Sequence, residues 1–431
     1  MQKIYLDNGE YVYHGDSNTL LNSQIRDLYE KECRKREINK IKLIVDKKKI
    51  TDNLKYLKQV TFEITQDCNM KCKYCIYSSG EYNRWRKESP AFISAETARR
   101  VIDYLRKIIG QRESKKFTVG FFGGEPLLRF NVIKEITDYT REVFQGWDIL
   151  FTITTNGVLL TKPITRYFID NKFSIFASLD GNQPNHDAKR TYPDGKGSFK
   201  TLMKNLSNIK EMDREYYINN VSFSIVYSKD LPWEGVLDFF KNEELVKEND
   251  VSFNFVNSLD TTYYENFLVD TSIFETKFNT SLKAIIEKKK NREELSSIER
   301  NIFAKLSVLN EMLQRRTFSS LMGACFFNSK LFVDAAGKFH ICEKMNDKFP
   351  LGDSENGFNL AAMKRIASQY VQFMESKCVD CSVYYLCQRC YIHFAGDGEF
   401  KMNSQFCRNQ QTSIKRMIED VITVNRFGGF E

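Results

Sequence analysis

Between residues 58 and 257, six runs rich in β-branched and aromatic residues alternate with amphipathic helical stretches, and this alternation most restricts what the chain can fold into. The runs are VTFEIT (60–65), FTVGFFG (117–123), ILFTITT (149–155), FSIFASLD (173–180), VSFSIVY (221–227) and VSFNFVN (251–257). Between them lie helical patterns such as SAETARRVIDYLRKIIG (94–110) and PITRYFIDN (163–171). Repeated β/α units predict an α/β fold, a parallel sheet with crossover helices forming a partial (β/α)6 TIM-type barrel. Ahead of it, residues 1–57 hold a hairpin pattern turning at Asn8-Gly9, a charged helical stretch around 18–38 and a short strand IKLIV (41–45), a small α+β segment. Residues 258–322 read as a charged helical bridge, and 323–431 as short strands, turns and cysteines.

The cysteines carry the chemistry. Cys68, Cys72 and Cys75 stand in CNMKCKYC on the loop leaving the first strand. Iron–sulfur cubes normally take four thiolates, so CxxxCxxC would leave one iron open to a ligand. A structural zinc loop or three unrelated thiols are the alternatives, although zinc wants a fourth ligand close by and the nearest histidine in sequence is His14. The string, with Tyr74 as its aromatic position, resembles the signature of the radical S-adenosylmethionine (SAM) enzymes. In that family the open iron binds SAM's amino and carboxylate groups, and reductive cleavage gives a 5′-deoxyadenosyl radical that abstracts hydrogen.

The later strand ends extend the resemblance. Gly123, Gly124 and Glu125, followed by Pro126, resemble the family's GGE motif, which implies a contact with the methionyl amine. Thr155 and Asn156 end the third strand, and Ser178 and Asp180 the fourth, offering hydroxyl, amide and carboxylate groups for SAM's ribose and carboxylate. Arg190 is the natural bidentate partner for that carboxylate, and a surface salt bridge is its alternative. His186 reads as a hydrogen bond that orders the loop.

Seven further cysteines follow as Cys325, Cys342, Cys378, Cys381, Cys387, Cys390 and Cys407. Their spacing resembles the SPASM extension of peptide-modifying radical SAM enzymes, with a shorter third gap. The resemblance implies two auxiliary [4Fe–4S] clusters, three in all. Cys378, Cys381, Cys387 and Cys407 would hold one, and Cys325, Cys342 and Cys390 the other, with an open iron. A zinc site is the alternative for these CxxC pairs. Cys33 reads as an unrelated exposed thiol.

No run of about 18 apolar residues is present, as a membrane helix would need, and the first twenty residues lack a signal-peptide core. The expectation is a cytoplasmic protein without a membrane partner, whose cysteines, Cys33 apart, bind metal rather than pair. A net charge of +8 spread along 431 residues does not single out nucleic acid. The resemblance implies a maturase of ribosomally made peptides, forming a thioether or carbon–carbon crosslink. Its partners would be a leader-bearing precursor peptide and a flavodoxin- or ferredoxin-type electron donor, with residues 1–57 as a possible leader-binding segment. Glu343 stands where some relatives place a catalytic base, a surface glutamate being the alternative. Anaerobic sulfatase maturation, by formylglycine formation, is the second reading. A zinc-stabilised binding module is the reading from another class.

Overall fold

The computed structural model describes residues 3–6, 10–15, 17–22, 39–41, 45–78, 88–256, 263, 271–315, 317–319, 321, 325 and 327–430. The Asn8-Gly9 turn, most of the 18–38 stretch with Cys33, and the middle of the 41–45 run lie outside these residues.

Strands β1 (Lys3–Leu6), β2 (Tyr11–His14) and β3 (Thr19–Asn22) form an antiparallel sheet at the N-terminus. β4 (Asn39–Ile41) pairs instead, in parallel, with the distant β11 (Thr317–Ser319). The main sheet is built from β5 (Gln59–Thr65), β6 (Lys116–Gly123), β7 (Asp148–Thr155), β8 (Ser174–Ser178), β9 (Val221–Tyr227) and β10 (Val251–Phe255). These six lie parallel in sequence order, the partial (β/α)6 barrel expected from the alternation.

The reasons are local. From Val60 onward β5 is buried on both faces, as parallel strands covered by helices are. Phe121, Phe151 and Phe173 stack with centroids 5.3–6.4 Å apart and fill one face of the sheet. The crossover helix Ala95–Ile109 begins at Ser94, whose hydroxyl accepts from Thr97 N, and buries Ala98, Val101, Ile102, Leu105 and Ile109 along one stripe. Each of its larger aliphatic side chains contributes about 1.5–3 kcal/mol of burial. A charge at Leu105 would break that face.

The sheet does not stop at the barrel. β12 (Leu331–Val333) adds parallel to the outer edge of β5, placing Leu331 beside Val60 and Val333 beside Phe62. β13 (Lys338–His340), β14 (Gly352–Asp353) and β15 (Gly357–Phe358) continue it as an antiparallel meander. A three-residue strand paired across more than 260 positions has no local signature. Glu63 ties the two parts together, accepting from Ala335 N at 3.0 Å and from Gln66 Nε2 at 3.1 Å. At the N-terminus Asn18, at φ 45°, caps the helix Ser297–Gln314 by donating from Nδ2 to Met312 O (2.8 Å) and Arg315 O (3.2 Å). Among the described residues no helix is long and apolar enough to cross a membrane.

Candidate active site

The C-terminal ends of β5 to β9 face one rim, where parallel α/β folds place their ligands. The loop leaving β5 carries Cys68, Cys72 and Cys75, and the turn after β6 packs hard against it. Gly124 N donates to Thr65 O at 2.7 Å and Glu125 N to Asp67 O at 2.9 Å. A Cβ at Gly123 would meet Thr65 O at 2.2 Å, and one at Gly124 would meet Asp67 O at 2.1 Å. The glycines are therefore required by the approach of two backbones, whereas the sequence suggested only an approach to a ligand.

The Glu125 carboxylate is enclosed by protein groups. It is 1% exposed, accepts from Thr155 Oγ1 (2.7 Å), Asn156 N (2.8 Å) and Leu127 N (3.1 Å), and burial pushes its pKa up to about 7. Both Glu125 and Thr155 are thus occupied by protein partners. Asn156 uses its side chain on the cysteine loop, donating to Asn69 Oδ1 at 2.8 Å.

Asp180 is likewise enclosed. It accepts from Arg190 Nε (2.8 Å), Val226 N (2.9 Å) and the Tyr74 hydroxyl. The Arg190 guanidinium lies 5.3 Å from the Tyr74 ring centroid and reaches the Cys72 thiol. Burial would lower the Arg190 pKa, but Asp180 and Tyr74 outweigh it, so the cation is held firmly. The pair is a buried clamp beside Cys72 and not the surface salt bridge that was the alternative to a cofactor contact. His186 accepts from Asp180 N at 3.3 Å and lies 2.9 Å from Ser198 Oγ, which donates to Arg190 O. Burial depresses its pKa to about 4 and keeps it neutral. Ser178 sits half-buried at the end of β8.

The cysteines fall into three neighbourhoods. Cys68, Cys72 and Cys75 act on one another electrostatically, and burial pushes Cys68 to about 12 and Cys72 to about 11. Cys378, Cys381, Cys387 and Cys407 form a second mutually interacting set, with Cys378 raised to about 11 and Cys387 to about 12 by burial. Cys325, Cys342 and Cys390 form a third, around Glu343. Burial works to raise the Glu343 pKa, but Lys330, donating at 2.7 Å, holds the carboxyl below its usual range. The Tyr77 hydroxyl donates to Glu343 O at 3.1 Å, linking the first loop to the third set.

Among the described residues no three Cys, His, Asp or Glu side chains gather closely enough for a single metal ion. An iron–sulfur cube spreads its thiolates more widely than one zinc at about 2.3 Å from each sulfur. Partly buried thiols with raised pKa values fit such a group, since bound iron would supply the positive charge their thiolates lack. Sequence reasoning missed Asn69, Tyr77, Lys330 and the buried Arg389. Only Arg389 had a signal, a charged residue inside the Cys387–Cys390 pair.

Residues 62–241 match the Radical SAM superfamily. Over 276 residues the chain is 28% identical to the radical SAM cyclopropyl synthase TigE of Paramaledivibacter caminithermalis, covering 62% of this chain. It spans about half the length of that relative, 51%. It is 23% identical to the cysteine-type anaerobic sulfatase-maturating enzyme of Clostridium novyi, over 78% of this chain and 87% of that protein. The solved structure of native anSMEcpe with bound AdoMet and Cp18Cys peptide superposes with a TM-score of 0.60 at 17% identity, covering 86% of this chain and 99% of that one. At that identity the likeness is one of fold. Residues 62–241 thus match the Radical SAM superfamily within a partial barrel, and the chain is similar to a radical SAM cyclopropyl synthase and to anaerobic sulfatase-maturating enzymes.

Proposed function

We propose that this chain abstracts a hydrogen atom from a residue of a peptide substrate, using SAM held at the Cys68–Cys72–Cys75 loop. The observation that carries this reading is Arg190, buried on Asp180 and Tyr74 and reaching Cys72, at the rim of the matched domain. A SAM-bearing cluster at that loop would supply reductive C–S cleavage. Around it, the chain's own groups hold the geometry. Gly123 and Gly124 fix the height of the cysteine loop, and Asn156 fixes Asn69 within it. The backbone of that glycine turn and the Ser178 hydroxyl are the contacts we assign to SAM, with Arg190 as the fixed cation beside them.

The C-terminal cysteines we read as two auxiliary iron–sulfur sites that carry away the electron left by substrate oxidation. A flavodoxin- or ferredoxin-type protein would supply the electron for SAM cleavage. Glu343 is the carboxylate nearest the three-cysteine site. Held ionised by Lys330, it would take a substrate proton only if that ion pair opens.

Formylglycine formation has the better support as the outcome, because one cysteine-type sulfatase-maturating relative is matched over 87% of its length. Crosslinking of a ribosomal peptide is the second reading. The N-terminal sheet favours it, since it packs on the C-terminal cysteine loop, with a Cβ at Gly15 only 2.5 Å from Ser382 O.

The test is anaerobic reconstitution with iron and sulfide, then SAM and dithionite with either a cysteine-type sulfatase peptide or a leader-bearing precursor. Release of 5′-deoxyadenosine with an aldehyde product supports the first outcome, and loss of two hydrogens from the precursor supports the second. Zinc in place of iron, with no SAM cleavage, overturns the reading. In the Glu343→Gln variant, full product formation would remove Glu343 from the proton transfer.

A further inference from the structure

The region around the C-terminal cysteines contains a cation with two unanswered donors. Arg389 is 1% exposed and lies between Cys387 and Cys390 in sequence. One terminal nitrogen donates to Tyr384 O, and the guanidinium carbon sits 4.1 Å from the Tyr384 ring centroid. Its Nε and its other terminal nitrogen are buried and have no hydrogen-bond partner among the described residues. A guanidinium stays charged at any pH the protein meets, and burying an ion without a counter-charge costs several kcal/mol. A carbonyl and a ring face answer only part of that cost.

The groups around it are thiols and phenols. Arg389 is the foremost charge acting on both Cys378 and Cys387. The side chains that act on Cys325, Cys342 and Cys390 include instead Lys330, Lys344 and Glu343. Tyr370 and Tyr391, with ring centroids 4.4 Å apart and both 0% exposed, also bury hydroxyls without partners. Arg389 and Cys378 both act on Tyr370, whereas Cys325 and Cys390 act on Tyr391. The orphaned donors therefore lie within electrostatic reach of cysteines of both sets.

We propose that Arg389 is the charge and hydrogen-bond partner of a four-thiolate iron–sulfur centre at Cys378, Cys381, Cys387 and Cys407, and that it sets that centre's reduction potential. This rests on reading those cysteines as an iron–sulfur site. A cube with four thiolates is anionic and gains a further negative charge on reduction. A fixed cation donating to its sulfurs stabilises the reduced form more than the oxidised one and raises the potential.

The experiment uses the full chain with Cys68→Ala, Cys72→Ala and Cys75→Ala, so that only the C-terminal sites are reconstituted with iron and sulfide. Midpoint potentials are then read by EPR during anaerobic redox titration. With Arg389→Met the expected result is unchanged iron, about eight per chain for two cubes. One midpoint should fall by at least about 59 mV, a tenfold change in a one-electron equilibrium. An unshifted midpoint at full iron content overturns the proposal. If Arg389→Met loses the centre, Arg389→Gln gives the same reading, a lowered midpoint supporting the proposal and an unchanged one overturning it. Zinc, or no reducible signal, in the chain that retains Arg389 would refute the iron–sulfur reading itself, and the inference with it. That failure is visible before any change at 389.

Discussion

The barrel loop at Cys68–Cys75 and the C-terminal segment from Cys378 to Cys407 both gather partly buried thiols, yet they differ in how completely their surroundings are paired. Around the barrel loop the buried charges have partners in the protein: Arg190 on Asp180 at 2.8 Å, Lys189 on Asp230 at 2.5 Å, and Glu125 on Thr155 and Asn156. The loop also rests on β5, which pairs in parallel with β6 on one side and β12 on the other. In the C-terminal segment Cys378 caps the end of the helix Leu360–Lys377 and Cys407 lies in the first turn of the helix Ser404–Asn425. Between them run turns, and Arg389, Tyr370 and Tyr391 keep buried donors without partners. The barrel site is thus complete as a fold before any cofactor binds. If the C-terminal thiols hold an iron–sulfur group, as proposed, metal binding and folding would be coupled there.

The largest effect that would sharpen this contrast is on catalysis. Cys72→Ala should reduce 5′-deoxyadenosine release by at least about 10³-fold, roughly 4 kcal/mol of barrier, while near-ultraviolet circular dichroism stays native. A loss of native dichroism would break the contrast from the barrel side. Next comes Cys387→Ala, which should lower the stability of the iron-loaded protein by on the order of 5 kcal/mol. Urea unfolding checks it, and equal loss in Cys72→Ala would show that the two regions depend on metal alike.

Asp180→Asn should cost about 3–5 kcal/mol even without iron, because it leaves the Arg190 guanidinium buried and unpaired. An unchanged urea midpoint would mean that the barrel clamp is not what holds the loop. The smallest effect is a pH dependence. His186 has a folded pKa near 4, below its ordinary 6.5, so the unfolded chain binds the proton more readily. Its contribution is complete above pH 6.5 and is lost as pH falls toward 4, with a slope of up to about 1.4 kcal/mol per pH unit. His186→Gln should flatten that limb in urea titrations between pH 6.5 and 4, and an unaltered slope would assign it to other groups.

Much of the fold was legible because its signals are local. The six runs from VTFEIT to VSFNFVN became β5 to β10 in parallel order, since β-branched and aromatic residues bounded by amphipathic helices leave few other arrangements. At the rim the sequence named the residues, and the fold supplied the partners that hold them: a buried carboxylate or hydroxyl must be satisfied, and Glu125, Thr155 and Asp180 find those partners on neighbouring strand ends and loops. The N-terminal hairpin appeared as expected at β1 and β2, whereas the β4–β11 pair gave no sign, because its halves lie some 280 residues apart.

The sequence by itself determined the inventory: how many thiols, at what spacing, on which loops, and how many parallel strands carry them. Spacing and periodicity are properties of neighbouring residues, and they survive in one dimension. The tertiary structure decided which polar groups were consumed and which were left over. Whether Arg190 is answered and Arg389 is not depends on burial and on partners brought in from other elements, and no local pattern encodes either.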